Sequence, residues 1–212
     1  MPFGSNYLHN LLTGDHANKP IMKGLCDREL NNPEGAVFDL CLDRVFEVIN
    51  LGRSLQASMF LGVNKRYAPE PVELSAHQWM YVHKLIGRTK TLPKDCEWVE
   101  DELWFVFYPG HTYSVMMKEY IDLNNDIRAT FRPRLTLCTN GLNLMTATAS
   151  PGYHGTLTYG LANVGPEIQF IAKGARIAFA EYDLCQDHNP KASYKGQWQG
   201  GRAGIGGTET QI

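Results

Sequence analysis

The clearest pattern along this chain is a short alternation of apolar and polar positions, broken repeatedly at glycine. From Glu102 onward, LWFVFYPGHTYSVMM reads as strand, Pro-Gly turn, strand. LTLCTNGLNLMTATASPGYHGTLTYGLANVG reads as strands broken at Asn140-Gly141 and Pro151-Gly152. EIQFIAKGARIAFAEYDL reads as a further hairpin turning at Lys173-Gly174, with Ile168 and Phe170 on one arm and Ile177 and Phe179 on the other. Upstream, Gly35–Leu51 carries Val37, Leu40, Leu42, Val45, Phe46 and Val48 at a spacing closer to 2 than to 3.6, which predicts a strand pair. Short strands at intervals of about 8–12 residues with glycine turns predict an all-β fold, a barrel or jelly roll with few short helices.

Elsewhere the pattern weakens. Residues 1–35 are mixed, with LHNLL as one short helical turn. The stretch from Arg53 to Glu100 is irregular, carries Pro69, Pro71 and Pro93, and holds ELSAHQWMYVHKLIG, a short helix or a strand. From His188 the chain is Gly-rich and polar and reads as a mobile tail. The organisation expected is a single domain over 1–212, with 53–100 as an insertion or peripheral region and 188–212 as a flexible tail.

Composition narrows the class. With 212 residues, 43% of them hydrophobic and 20% charged, the chain can bury one real core. The formal charge is −2 and no basic tract exceeds two or three residues, which disfavours a dedicated nucleic-acid surface. No apolar run approaches the roughly 18 residues a membrane span needs. MPFGSNYLHNLLTGDHANKP has no basic region followed by an apolar one, so it does not read as a secretory signal. The five cysteines are odd in number and widely spaced, which favours reduced thiols over a disulfide framework. The expected setting is cytoplasmic, without membrane attachment.

Familiar catalytic motifs are missing. GxxxxGK[ST] is absent, and GRAGIGG in the tail lacks the preceding strand and following helix of a dinucleotide fingerprint. Neither HxE with PCxxC, nor CxxC, nor HExxH occurs, which argues against zinc. His111 and His154 each follow close on a turn and read as polar residues beside it, and EWVEDEL reads as a solvated strand entry.

Three stretches in fixed order carry a resemblance. IDLNNDIRATFRPRLTLCTNGL is similar, without a gap, to the pattern v-x-LPxxLxxxxxGRSSLARLGL, through Leu123, Asp126, Arg134, Leu137 and Gly141-Leu142. SPGYHGTLTYGLANVG resembles IDPGWxGxxxLExxN, and PEIQFIAKGARIAFAEYDL resembles the strand–PGM–strand segment that follows it. SYKGQWQGG looks like KYxGQxG, and NPEGAVFDLCL like xxNxATxDxRL. Together these resemble the dCTP deaminase branch of the trimeric dUTPase-like superfamily.

The resemblance implies a homotrimer of distorted β jelly rolls with nucleotide sites at subunit interfaces. A Ser/Arg turn and the C-terminal tail would hold a nucleoside triphosphate, with Mg²⁺ carried on its phosphates and no zinc. A glutamate after the PGW turn would act as base and then acid, because neutral water is a poor nucleophile and ammonia must leave protonated. The nucleotide-binding residues implied are Arg134, Thr136, Tyr153, Tyr194, Lys195 and Gln197. Leu135 stands at the first Ser of the turn and Thr139 at its second Arg. Ser150 stands at the Asp of IDPGW and Gly160 at the catalytic Glu, while Ser193 replaces the tail Lys, with Lys191 and Lys195 close by. Glu167, Glu181, Asp183 or a residue of 53–100 are the candidates for a relocated acid.

Three readings follow. The first is a nucleotide-binding trimer with its deamination chemistry weakened or lost. The second is an active deaminase or nucleotide pyrophosphatase with a relocated acid. The third is an interaction protein reusing the trimer, with Trp79, Tyr81 and Trp98 as contact surface.

Overall fold

The computed structural model describes residues 10, 21–31, 37–47, 60–62, 65–68, 71–78, 103–185, 193–196, 198–201 and 207–210. The strands are β1 (Ile21–Lys23), β2 (Phe38–Glu47), β3 (Phe60–Gly62), β4 (Lys65–Ala68), β5 (Val72–Leu74), β6 (His77–Gln78), β7 (Leu103–Phe107) and β8 (Thr112–Asp122). They continue with β9 (Ile127–Pro133), β10 (Leu142–Met145), β11 (Thr148–Ala149), β12 (His154–Asn163), β13 (Gln169–Ala172), β14 (Arg176–Leu184) and β15 (Gly207–Thr210). Two five-residue helices, α1 (Asp27–Asn31) and α2 (Leu135–Thr139), complete the described elements.

One large antiparallel sheet runs in the order β10-β12-β8-β2-β14-β9-β11, with β1 added to β8 and β5 to β2. Its curl comes from β2. Residues Phe38–Cys41 pair with β14 and Leu42–Glu47 pair with β8, with a register shift on each side. The strand therefore belongs to two half-sheets that close around a common core. Leu40, Leu42, Val115, Met117, Ile121, Ile127, Leu161 and Ile177 fill that core and are essentially inaccessible to solvent. Each such side chain contributes about 1.5–3 kcal/mol on burial. The fold is the all-β, curled jelly-roll architecture expected from the alternation.

Several expectations need correction in detail. Gly35–Leu51 holds one described strand and not a pair. Where β2 crosses between the half-sheets, Phe38 to Leu42 are all buried, so the strand lacks the polar face that marks a half-buried one. The segment LTLCT is a helical turn and not a strand. Leu135 and Leu137 alternate like a strand pattern, but only Leu137 is buried, and Gly141 closes the turn at φ 78°. Lys173-Gly174 is not a hairpin turn either. β13 pairs with β7 in a separate sheet of order β13-β7-β6, while β14 pairs with β2 and β9. The Lys173 and Gly174 amides donate to the carbonyls of Leu103 and Leu42, so this corner passes the chain between sheets.

Part of the 53–100 region joins these sheets, since β5 pairs with β2 and β6 with β7. β3, β4 and β15 form a further small sheet. Trp79, Tyr81 and Trp98 lie outside the described residues. No helix among the described residues is long and apolar enough to cross a membrane.

Candidate functional site

The turn Ser150–Tyr153 borders a cavity. The Tyr153 amide donates to the Ser150 carbonyl at 3.0 Å, and the Gly152 amide donates to the Asn124 carbonyl at 3.2 Å. Onto this turn the described tail residues dock. The Tyr194 amide donates to the Pro151 carbonyl at 2.8 Å and the Gly200 amide to the His154 carbonyl at 2.8 Å. Gln199 acts as a clamp. Its Oε1 accepts from the His154 amide at 2.9 Å, while its Nε2 donates to the carbonyls of Gly152 at 2.9 Å and Tyr194 at 3.2 Å. The approach is close enough to require glycine at 155, where φ is +149° and an added Cβ would lie 2.7 Å from the Gly200–Gly201 backbone. Within the segment read as a tail, Tyr194, Gln199 and Gly200 thus hydrogen-bond to the turn, contacts that its composition does not announce.

Between this turn, β9, β11 and β12 lies a cavity of about 210 Å³. Its aromatic wall is Phe131, Tyr153, Tyr159, Tyr194 and Trp198, and Thr148, Ser150, Thr156 and Thr158 bring hydroxyl-bearing residues to it. No lysine, arginine, aspartate or glutamate lines it among the described residues. Tyr153 and Tyr194 meet edge to face at 5.5 Å, and the Tyr153 hydroxyl donates to the Thr156 carbonyl at 3.1 Å. Burial pushes the Tyr153 hydroxyl up to about 12 and drives Tyr159 well above its ordinary range, so both stay protonated. The Tyr159 Oη and Thr158 Oγ1 atoms are buried without a hydrogen-bond partner among the described residues.

Arg134 lies elsewhere, in a cluster of charge. Asp39, buried on β2, accepts from Arg134 and, at 2.8 Å, from Arg176, and Arg28 approaches the same oxygen at 3.6 Å. Buried Glu29 accepts the Asp39 amide at 3.1 Å and sits 3.4 Å from Arg28. A second cavity of about 220 Å³ opens here, lined by Glu29, Val37, Asp39, Arg134, Leu135 and Phe179.

The expected site residues are therefore only partly assembled within one chain. Tyr153, Tyr194 and Ser150 meet at the first cavity, and Arg134 and Leu135 at the second. Thr136 and Thr139 are exposed on α2, where the Thr139 hydroxyl donates to the Thr136 carbonyl at 3.0 Å. Lys195 is exposed, and Gln197 and Lys191 lie outside the described residues. Gly160 faces β10, where an added Cβ would come 2.8 Å from the Met145 methyl.

The candidate relocated acids do not line the first cavity. Glu181 and Asp183 pair across strands with Arg132 at 3.1 Å and Arg128 at 3.3 Å. Those arginines alternate with inward-facing Ala129 and Phe131, which puts the ion pairs on the opposite face of the sheet from the cavity. Glu167 follows β12, and its carbonyl accepts from Asn163 Nδ2. His111 pairs with Glu47 at 3.0 Å near one end of β8, away from the cavity lining. Trp198, Gln199, Tyr159 and the Arg28–Arg176 partners of Asp39 went unrecognised in the sequence. The tail aromatic between two glutamines was the only available signal for the first two.

The chain is a curled antiparallel jelly roll with a turn-and-tail cavity and a separate arginine–carboxylate cluster. Residues 64–179 match the model of the dCTP deaminase-like family, and the chain belongs to that family. A probable deoxyuridine 5'-triphosphate nucleotidohydrolase of Archaeoglobus fulgidus is 25% identical over 194 residues, covering 90% of this chain and 96% of the relative. A second protein of that name, from Methanothermobacter thermautotrophicus, is 26% identical over 133 residues, covering 61% of this chain and 87% of the relative. Among solved structures, the 2'-deoxycytidine 5'-triphosphate deaminase of Agrobacterium tumefaciens aligns over 86% of this chain with a TM-score of 0.54 at 16% identity. This chain spans 47% of that protein's length, and the likeness speaks for the fold.

Proposed function

We propose that the chain binds a deoxynucleoside triphosphate at the interfaces of a homotrimer, with the family's deamination chemistry weakened or lost. The observation that carries this reading is the first cavity. It is aromatic, walled in part by Tyr194 and Trp198 of the tail, and lined by no carboxylate among the described residues. Such a wall holds a base by stacking and burial, whereas hydrolytic deamination needs a group that takes a proton from water and returns it to the leaving amine. Gly160 supplies no such group, and Glu181 and Asp183 are engaged with arginines on the far face of the sheet. Arg134, Lys195 and Gln197 would meet phosphates once neighbouring subunits complete the site. Mg²⁺ would ride on the triphosphate, since the described cavity lining offers it no carboxylate. The reading assumes a soluble, cytoplasmic protein.

The names of the two archaeal relatives favour a second reading, hydrolysis of dUTP to the monophosphate. One experiment separates them. The protein at tens of micromolar, with Mg²⁺ and dCTP or dUTP, is followed for hours by anion-exchange chromatography alongside calorimetric titration. Heat of binding without product supports a binding protein. Formation of dUMP supports the second reading, and conversion of dCTP to dUTP overturns the loss of deamination.

A further inference from the structure

We infer that the stretch of β2 between the two half-sheets is a pH-sensitive seam. Glu119 and Glu29 stand in there for a missing strand, and ionising Glu119 loosens the β1–α1 segment that covers them. This device does not depend on the binding function proposed above.

Over Phe38–Cys41, β2 has β14 on one side, and β8 joins its other side only from Leu42. The Leu42 amide donates to the Ala175 carbonyl at 2.9 Å on the β14 side. The amides of Asp39 and Cys41 therefore point the other way, by the period of 2 along a strand. A buried amide must find a partner, and here both find carboxylates instead of a strand. The Asp39 amide donates to Glu29 Oε2 at 3.1 Å and the Cys41 amide to Glu119 Oε2 at 2.9 Å.

β8 is interrupted at the same place. β2 leaves it at Met117 and β1 joins it at Tyr120, while on the other flank the register with β12 jumps from Met116 to Tyr120. Lys118 and Glu119 thus have no ladder partner on either side, as in a bulge. The chain crosses them at Gly24, where φ is +87° and an added Cβ would lie 3.2 Å from the Lys118 carbonyl oxygen. Beyond it Leu25 and Glu29 are buried. The cover over the seam is therefore held by the three-residue β1 at one end and by the Asp39 cluster at the other.

Glu119 is the part that answers to pH. It is fully buried, and its Oε1 has no hydrogen-bond partner among the described residues. The titratable groups that share its field are Cys41 on β2, Tyr159 on β12, Tyr182 on β14 and Lys118 on its own strand, with Cys26 of the cover acting on Cys41. The one cation among these, Lys118, is exposed. A protonated carboxyl still accepts from the Cys41 amide, whereas a carboxylate leaves charge on an oxygen that only water can solvate. Admitting water lifts the Gly24–Cys26 crossing, and with it α1 and the bond from Asp39 to Glu29. Because Glu29 lines the charged cavity, that cavity opens on its α1 side as the seam loosens. Burial pushes the Glu119 carboxyl up to about 7, against an ordinary value of 4.5 once solvated. The closed seam binds this proton more tightly than the open one, so opening grows as pH climbs between those values and then levels off.

Native-state hydrogen exchange on the full chain, in low urea at pH 5.5 and pH 8 and corrected for intrinsic rates, tests this. The Cys41 and Asp39 amides should exchange through a local opening that urea hardly promotes, with the Leu161 amide at the centre of β10-β12-β8 as the globally protected reference. Their protection should fall about tenfold or more between the two pH values. Glu119→Gln keeps the acceptor and removes the charge, so it should make that protection independent of pH. Equal protection and equal urea dependence at Cys41, Asp39 and Leu161 would show that the seam opens only with the whole fold, and overturns the inference. A local opening indifferent to pH in the wild type overturns the switch, whether or not the variant folds. A pH response that persists in Glu119→Gln belongs to another group and overturns the role of Glu119. A response at Cys41 without one at Asp39 overturns the coupling to α1.

Discussion

The two cavities are of nearly equal size, about 210 and 220 Å³, and opposite chemistry. Around Asp39, three guanidinium groups and a second buried carboxylate, Glu29, meet each other's charge. At the Ser150–Tyr153 turn, aromatic rings surround two hydroxyls that the described chain leaves unanswered. The difference teaches that dense charge and capacity to take a ligand are separate properties. The cluster ties α1, β2 and β14 to the start of α2 by mutual satisfaction, whereas the cavity keeps its polar potential unspent. A ligand that reaches both regions would bury its base in one and meet arginines near the other.

The largest expected effect breaks the first member of that comparison. Asp39→Ala would leave Arg28, Arg134 and Arg176 around Glu29 alone. Removing one partner of a buried ion pair costs about 3–5 kcal/mol, and the one-third exposure of these arginine side chains discounts that to about 3 kcal/mol. Urea unfolding measures it. A loss under about 1 kcal/mol would mean that the guanidinium groups are held by solvent and Glu29, and that Asp39 is not the hub.

Much of this was legible in the chain. The alternation of β8 and β12 declares itself because one face of each is packed on the core, which forces a period of 2. β2 was legible as strand but read as a pair, because Phe38–Leu42, where two half-sheets share it, is covered on both sides and interrupts the alternation. Corner residues such as Lys173-Gly174 look like a hairpin turn in sequence, since the same glycine chemistry serves a tight reversal and a passage between sheets. At the site, Tyr153 and Tyr194 were readable from the motifs they belong to. Tyr159 was not, because it occupies the leucine position of the pattern LExxN, and only the fold shows which face it takes. Consecutive strand residues face opposite sides, so Tyr159 is buried on the inner face while Gly160 lies on the outer one beside Met145. The Arg28–Asp39–Arg176 partnership spans 148 residues of sequence and no spacing rule announces it.

A second effect of similar size sharpens the contrast through pH. The Glu119 carboxyl ordinarily titrates near 4.5 and burial raises it to about 7 in the folded chain. The folded state therefore binds this proton more tightly than the unfolded state, and stability falls as pH climbs from about 4.5 to about 7, then levels off. The gap converts to roughly 3 kcal/mol as an upper figure. Denaturant unfolding across pH 4–9 reads it directly, and Glu119→Gln should flatten that fall and be the more stable protein at pH 8. A wild-type profile that rises over the same interval would show that Glu119 is ionised at little cost.

The smallest effect concerns how the cavity is closed. Gln199 makes three hydrogen bonds that join tail to turn, each worth about 1 kcal/mol net at most in this partly exposed setting. Gln199→Ala should leave global unfolding within about 1 kcal/mol of wild type, because the core strands do not depend on the tail. Locally the change should be larger. Hydrogen exchange at the Tyr194 and Gly200 amides, which donate to Pro151 and His154, should speed up about tenfold, while the Leu123 amide bonded to Tyr153 keeps its protection. Because Tyr194 and Trp198 form part of the aromatic wall, nucleoside affinity should fall together with that protection. Unchanged exchange would show that the Tyr153–Tyr194 ring contact and the close Gly155–Gly200 approach hold the tail without the glutamine. The aromatic side of the comparison would then be self-sufficient in closure as well as in binding.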